Sequence, residues 1–128
     1  MIPSFDHAMI NCGDVRLSVH RGGAGTPLIL LHGYPQNHRC WAAVAPGLAA
    51  HFDVIVPDLR GYGDSDAPPD DPDHTTYSKR RMAGDIAGLL DALGLARAHV
   101  LGHDRGARVA YRFALDHSDR LDRLGIIC

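Results

Sequence analysis

The run Leu101-Gly102-His103-Asp104-Arg105-Gly106-Ala107-Arg108 lies between an apolar strand pattern and a helix pattern. It constrains the chain more than any other stretch. A side chain at the apex of a tight strand-to-helix turn needs small residues two before and two after it, because any Cβ there meets the backbone of the turn. Gly102 and Gly106 stand at those positions around Asp104. The run therefore reads as a nucleophile elbow with aspartate at its apex. Serine there would suit attack on a carbonyl carbon, whereas a carboxylate suits displacement at a saturated carbon and leaves an ester that water can cleave. A plainer role is open at this point: aspartate at a strand-to-helix junction also serves as an N-cap.

The rest of the chain supplies the setting for such a turn. Val15 to Val19 alternates as a half-exposed strand, and Phe5 to Ile10 is placed to pair with it as a hairpin. Pro27 to Leu31 and Val54 to Val56 are apolar at successive positions, as expected of strands covered on both faces. Trp41, Val44, Ala45 and Leu48 fall at helical spacing within Arg39 to His51, where Pro46-Gly47 is expected to end or kink the first helix. Met82, Ile86, Leu89, Leu90 and Leu93 form one helical stripe, with Gly94 as its expected C-cap. His99 to Leu101 is the strand feeding the elbow, Arg105 to His117 the helix after it, and Leu124 to Ile127 starts a further strand. Strands alternating with helices predict an α/β fold: a mostly parallel sheet with an antiparallel N-terminal hairpin and helices on both faces.

Composition narrows the partners. At 128 residues, with 45% hydrophobic and 22% charged residues and a net charge of -2, the chain suits one globular domain. Its thirteen Lys and Arg residues are dispersed among fifteen acids, which argues against a nucleic-acid partner. The start lacks the basic and apolar regions of a secretory signal, and no apolar run reaches membrane-spanning length. A soluble cytoplasmic protein without a membrane partner is expected. Cys12, Cys40 and Cys128 are odd in number and far apart, which fits reduced thiols. The nine histidines show no metal-ligand spacing and read as surface or satisfied core groups, so neither a metal nor a cofactor is expected. The glycines of Arg21 to Thr26 precede a strand and make a turn, not a phosphate loop.

Three segments stand together in order: His32-Gly33-Tyr34-Pro35 after a buried strand, Asp58-Leu59-Arg60-Gly61-Tyr62-Gly63-Asp64-Ser65, and the elbow. In this order and spacing the chain resembles the α/β-hydrolase family. With Asp104 and its arginines it looks most like the haloacetate and fluoroacetate dehalogenases, the most specific part being Tyr34 to His38 with Gly102 to Arg108. The resemblance implies Asp104 as nucleophile, the backbone N–H groups of Tyr34 and Arg105 as an oxyanion hole, and a small haloacid as substrate.

Arg105 and Arg108 sharpen that expectation. Two cations in the first turn of a helix oppose its dipole, so an offsetting benefit should be sought. Three residues apart, they share a face beside Asp104 and suit a carboxylate grip; the resemblance implies this role for both. Pairing of one of them with Asp104, Asp64 or Asp66 is the structural alternative, and Arg112 on the same face reads as structural or solvated. His32 and His103 are expected to brace the loop and the elbow, and Trp41 and Tyr62 to pack without a catalytic role.

The family's later parts, a base histidine, its acid partner and a helical cap, do not follow Cys128. The chain is thus expected to be the N-terminal portion of a hydrolase core domain, truncated before the cap and the last strands. Slow turnover and an uncovered sheet edge open to self-association follow from that expectation. The alternatives are an epoxide hydrolase, against which Arg105 after the nucleophile argues, and a catalytically inert hydrolase-like domain.

Overall fold

The structure, a computed structural model, describes residues 2, 4–34 and 36–127. Strands β1 (Asp6–Asn11) and β2 (Arg16–Gly23) form the antiparallel hairpin, and β2 pairs antiparallel with β4 (Phe52–Pro57). From there β4, β3 (Thr26–Leu31), β5 (Ala98–His103) and β6 (Leu121–Ile127) run parallel, giving the order β1-β2-β4-β3-β5-β6. The expected mostly parallel sheet with an antiparallel edge is what forms.

The continuous apolar runs follow from burial on two faces. In β3, Ile29 and Leu31 join one core with helices α2 (Lys79–Leu93) and α3 (Arg105–Asp116), while Leu28 and Leu30 join a second core with Trp41 and Ala45. Strand β4 divides the same way, Ile55 to the first core and Val54 and Val56 to the second. Alternation puts neighbours on opposite faces, so a strand apolar at every position must be covered twice. Each fully buried Leu or Ile contributes about 1.5–3 kcal/mol of transfer free energy.

Helix α2 begins where Ser78 Oγ accepts the Arg81 N–H at 3.1 Å and ends where Gly94 turns left-handed at φ 70°. The Leu95 N–H then donates to the Leu90 carbonyl at 2.9 Å, closing the C-terminal turn. Pro46 behaves otherwise than expected. The chain makes a 3-10 turn over His38–Trp41 and then helix α1 (Ala45–Leu48), with Pro46 in its first turn. There the missing proline N–H is one that has no intrahelical partner in any case, so Pro46 opens a helix instead of breaking one.

The sixth strand starts at Leu121, three residues before the expected point, and stands at the sheet edge. Among the described residues it pairs only with β5, and Leu124, Ile126 and Ile127 are exposed. No helix of the described residues is long and apolar enough to cross a membrane. Cys12 and Cys40 are free thiols, and Cys128 lies outside the described residues.

Two polar clusters tie the β4-to-α2 connection to the sheet. Arg60 is fully buried and donates to both oxygens of Asp85 on α2, at 2.9 and 2.7 Å, to the Thr76 carbonyl at 3.0 Å and to Asp14 at 2.9 Å. Asp58, also buried, accepts from the His38 N–H at 2.7 Å, from His38 Nδ1 at 2.8 Å and from the Asp64 N–H at 3.1 Å. Three of the histidines cluster: the His20 ring stacks on His38 at 4.0 Å between centroids and lies 4.7 Å from His7. His20 Nδ1 and His38 Nε2 are buried with no hydrogen-bond partner among the described residues, so these core histidines are only partly satisfied.

Removing Arg60 strands a buried carboxylate. Arg60→Met should lower the unfolding free energy by about 3–5 kcal/mol in urea titration, and a loss under about 1 kcal/mol would contradict the account. Burial, then the neighbouring His38 and His7, pushes His20 down from 6.5 to about 4. Between those values the unfolded chain binds the extra proton and the native chain does not, so this contribution to stability is lost as pH falls from about 6.5 to about 4. His20→Gln should make stability less steeply pH-dependent across that window; an unchanged slope would count against it.

Candidate active site

The end of β3, the end of β5 and the first turn of α3 meet so closely that side chains are excluded between them. A Cβ on Gly102 would lie 2.3 Å from the Gly106 carbonyl oxygen, and one on Gly106 would lie 2.4 Å from the carbonyl oxygens of both Leu31 and His32. Asp104 is the N-cap residue of α3, with φ 57° and ψ -118°. For a residue other than glycine that backbone costs on the order of 1–3 kcal/mol, which the surrounding contacts must offset.

This turn presents the Asp104 side chain to the loop after β3. The Tyr34 N–H donates to Asp104 Oδ2 at 3.0 Å, while the side chain makes no capping bond to its own helix. Asp104 thus occupies the N-cap position without making the side-chain bond of a capping aspartate. The Tyr34 N–H first, then the Arg105 N–H, hold the Asp104 carboxyl below the ordinary aspartate range. Gly33 makes the approach possible, since a Cβ there would lie 2.6 Å from Asp104 Cβ.

Both histidines of these motifs are held in place. Buried His32 donates from Nδ1 to the Gly33 carbonyl at 2.9 Å and accepts the Leu59 N–H on Nε2 at 2.9 Å. With both nitrogens engaged it has no lone pair free for a water molecule, and burial holds it below the usual histidine value. His103 lines a shallow recess with Gln36, Cys40, Trp41 and Ile127 and reaches Gln36 Oε1 at 3.3 Å through Nδ1. The same Gln36 oxygen accepts the Gly33 N–H at 3.0 Å, so one amide spans the loop and the elbow. Pro35 lies outside the described residues.

The two arginines flank Asp104 without lining one recess. The Arg105 guanidinium lies 4.4 Å over the Tyr34 ring and lines a cleft of about 290 Å³ with Tyr62, Tyr77, Lys79 and Met82. Arg108 lines an adjoining open groove with Asp104, Tyr111 and Ile126. Neither makes an ion pair among the described residues: Asp66 pairs with Arg16, and Arg112 with Asp116. Trp41 packs in the second core, whereas Tyr62 packs on the first core and also lines the cleft.

Sequence reasoning missed Gly33, Gln36 and Lys79. A signal for Lys79 was available, since it too is a cation in the first turn of a helix, the anomaly noted only for Arg105 and Arg108. Among the described residues no three His, Cys, Asp or Glu side chains converge as a metal-binding group.

Comparison with known proteins agrees with this architecture. Residues 26–128 match the alpha/beta hydrolase fold family. The chain is 46% identical over 127 residues to a fluoroacetate dehalogenase of Burkholderia sp., covering 99% of this chain and 42% of that protein. It is also 46% identical over 120 residues to a soluble epoxide hydrolase of Corynebacterium sp. (strain C12), covering 94% and 40%. A crystal structure from Salmonella enterica, of a protein with the provisional name acyltransferase, superposes with a TM-score of 0.96 at 54% identity, over 98% of this chain and 42% of that one. The chain thus spans about 40% of the length of the relatives it matches. The elbow, the sheet order and the match over most of the sequence lead to one assignment: the chain belongs to the α/β-hydrolase fold family.

Proposed function

We propose that Asp104 is the nucleophile of a hydrolytic dehalogenation of a small haloacid such as haloacetate. The observation that carries the reading is the bond from the Tyr34 N–H to Asp104 Oδ2 at 3.0 Å. It engages Oδ2, which leaves attack to Oδ1. The Oδ1–carbon bond forms as the carbon–halogen bond breaks, and halide departs with the bonding pair, leaving an aspartyl ester. Oδ2, now the ester carbonyl oxygen, already faces the Tyr34 N–H, and the Arg105 N–H beside the carboxyl is the second donor of the proposed hole. When water adds to the ester carbon, the negative charge develops on that oxygen, and a preorganised donor there is worth about 2.7–4 kcal/mol.

Arg105 and Arg108 support the choice of a haloacid. They flank the nucleophile, carry no ion pair among the described residues, and suit charge-assisted bonds to a substrate carboxylate. Their attraction also draws an anionic substrate toward an anionic nucleophile that would otherwise repel it. Base histidine, acid and cap would come from the remainder of a protein of the relatives' length.

A second reading, epoxide opening by the same carboxylate, is favoured by the 46% identity to an epoxide hydrolase and by the phenols of Tyr34 and Tyr62 at the cleft, which suit donation to an epoxide oxygen, whereas the Tyr77 hydroxyl already donates to the Pro68 carbonyl. The two readings separate in one experiment. Bromoacetate should add one carboxymethyl group to the chain by intact-mass spectrometry, at a rate above that of a neutral epoxide such as styrene oxide. Asp104→Asn should abolish the gain; the same gain in that variant, or faster reaction with the epoxide, would overturn the haloacid reading.

The pH dependence follows from the same bonds. Attack needs the carboxylate ionised, and its pKa is lowered, so alkylation should fall to half its rate only below the ordinary aspartate value of 3.8. A rate already halved above pH 3.8 would show that the two N–H groups do not hold the charge.

A further inference from the structure

Lys79 is the first residue of α2, and its side chain lines the cleft together with Arg105, Tyr34, Tyr62 and Tyr77. The first turns of both long helices carry no acid, although acids are what a helix N-terminus favours. The neighbouring cations each have a carboxylate partner: Arg80 and Arg112 share Asp116, at 3.6 and 2.6 Å, and Arg81 pairs with Asp14 at 2.8 Å. Lys79, Arg105 and Arg108 have no such partner among the described residues. Burial first, and then the charges of Arg105 and Arg108, hold the Lys79 ammonium below the usual lysine value, so the three cations feel one another.

Charge complementarity defines the ligand. Lys79 and Arg105 line the cleft and Arg108 the groove that holds Asp104, so the three cations exceed that one carboxylate by two charges, and one substrate carboxylate would cancel only half of the excess. Space agrees, because the reacting carbon and its carboxylate lie at Asp104 and Arg108 in the groove, and the cleft of about 290 Å³ on the other side of Arg105 has room for several further non-hydrogen atoms at about 30 Å³ each. We propose that Lys79 is a second anion-binding point in this cleft, so that the site takes a small dicarboxylic acid with its leaving group beside one carboxylate and the other carboxylate on Lys79. The inference rests on the haloacid reading for its chemistry, with Arg105 and Arg108 taking the carboxylate next to the reacting carbon. Lys79 acts here in binding and selectivity, not at the reacting atoms.

The test uses non-reactive acids, so it does not depend on Asp104 attacking anything. Titrating the full chain with succinate and with propionate, at neutral pH and low salt, gives two affinities by NMR chemical-shift changes or calorimetry. Succinate should bind at least tenfold more tightly than propionate. Lys79→Met should lower that ratio at least fivefold, and Lys79→Arg, which keeps the charge, should hold it within about twofold. A ratio near one in the unaltered chain, or a ratio that Lys79→Met leaves in place, would overturn the proposal; so would equal loss in Lys79→Met and Lys79→Arg. A missing preference in a chain that bromoacetate still alkylates at Asp104 would sink this inference alone. A preserved preference in a chain that bromoacetate does not alkylate would sink the dehalogenation reading instead.

Discussion

The first turn of α3 packs against the end of β3 with no room for a side chain between them, and the geometry of the site depends on that contact. Gly106 faces the carbonyl oxygens of Leu31 and His32, Gly102 faces Gly106, and Gly33 faces Asp104. Because these backbones touch, Asp104 is driven to positive φ, and its carboxylate is thrust toward the loop after β3. The strain stays because both sheet faces around it are filled, by Ile29 and Leu31 on one side and Leu28 and Leu30 on the other. A looser core would let the turn relax into an ordinary N-cap.

Charge in this chain divides into two kinds. Arg60 with Asp85 and Asp58 with His38 are closed clusters whose hydrogen bonds are made within the chain, and they fix the long connection from β4 to α2. That connection supplies Gly61, Tyr62 and Tyr77 to the cleft. Lys79, Arg105 and Arg108 are the opposite kind, cations gathered without carboxylates of their own. Lys79 is half-buried while Arg105 and Arg108 face solvent, and cations gathered without carboxylates of their own suit an anion from outside, which is why these three residues carry the reading of the substrate.

The sequence made the elbow legible because its requirement is local: two glycines at fixed offsets around one residue, between a strand pattern and a helix pattern. The buried strands were legible for a similar reason, since residues apolar at every position leave no face for water. Pro46 was misjudged because proline ends one helix and begins another with equal ease, and only the 3-10 turn before it decides which. Asp85 sits on the apolar stripe of α2, where periodicity gives no hint of a partner 25 residues upstream. The meeting of Lys79 with Arg105, and of Gly33 with Asp104, depends on how distant segments dock, and no spacing along the chain encodes it.

Backbone N–H groups of two separate segments, Tyr34 after β3 and Arg105 at the start of α3, hold Asp104 as an anion. Site-resolved NMR titration of the Asp104 carboxyl carbon, followed together with the Tyr34 and Arg105 amide protons, tests it most directly. All three signals should move together at a pKa below the ordinary 3.8, and the amide shifts should vanish in Asp104→Asn. A carboxyl that titrates at or above 3.8, or amide protons indifferent to it, would contradict the claim.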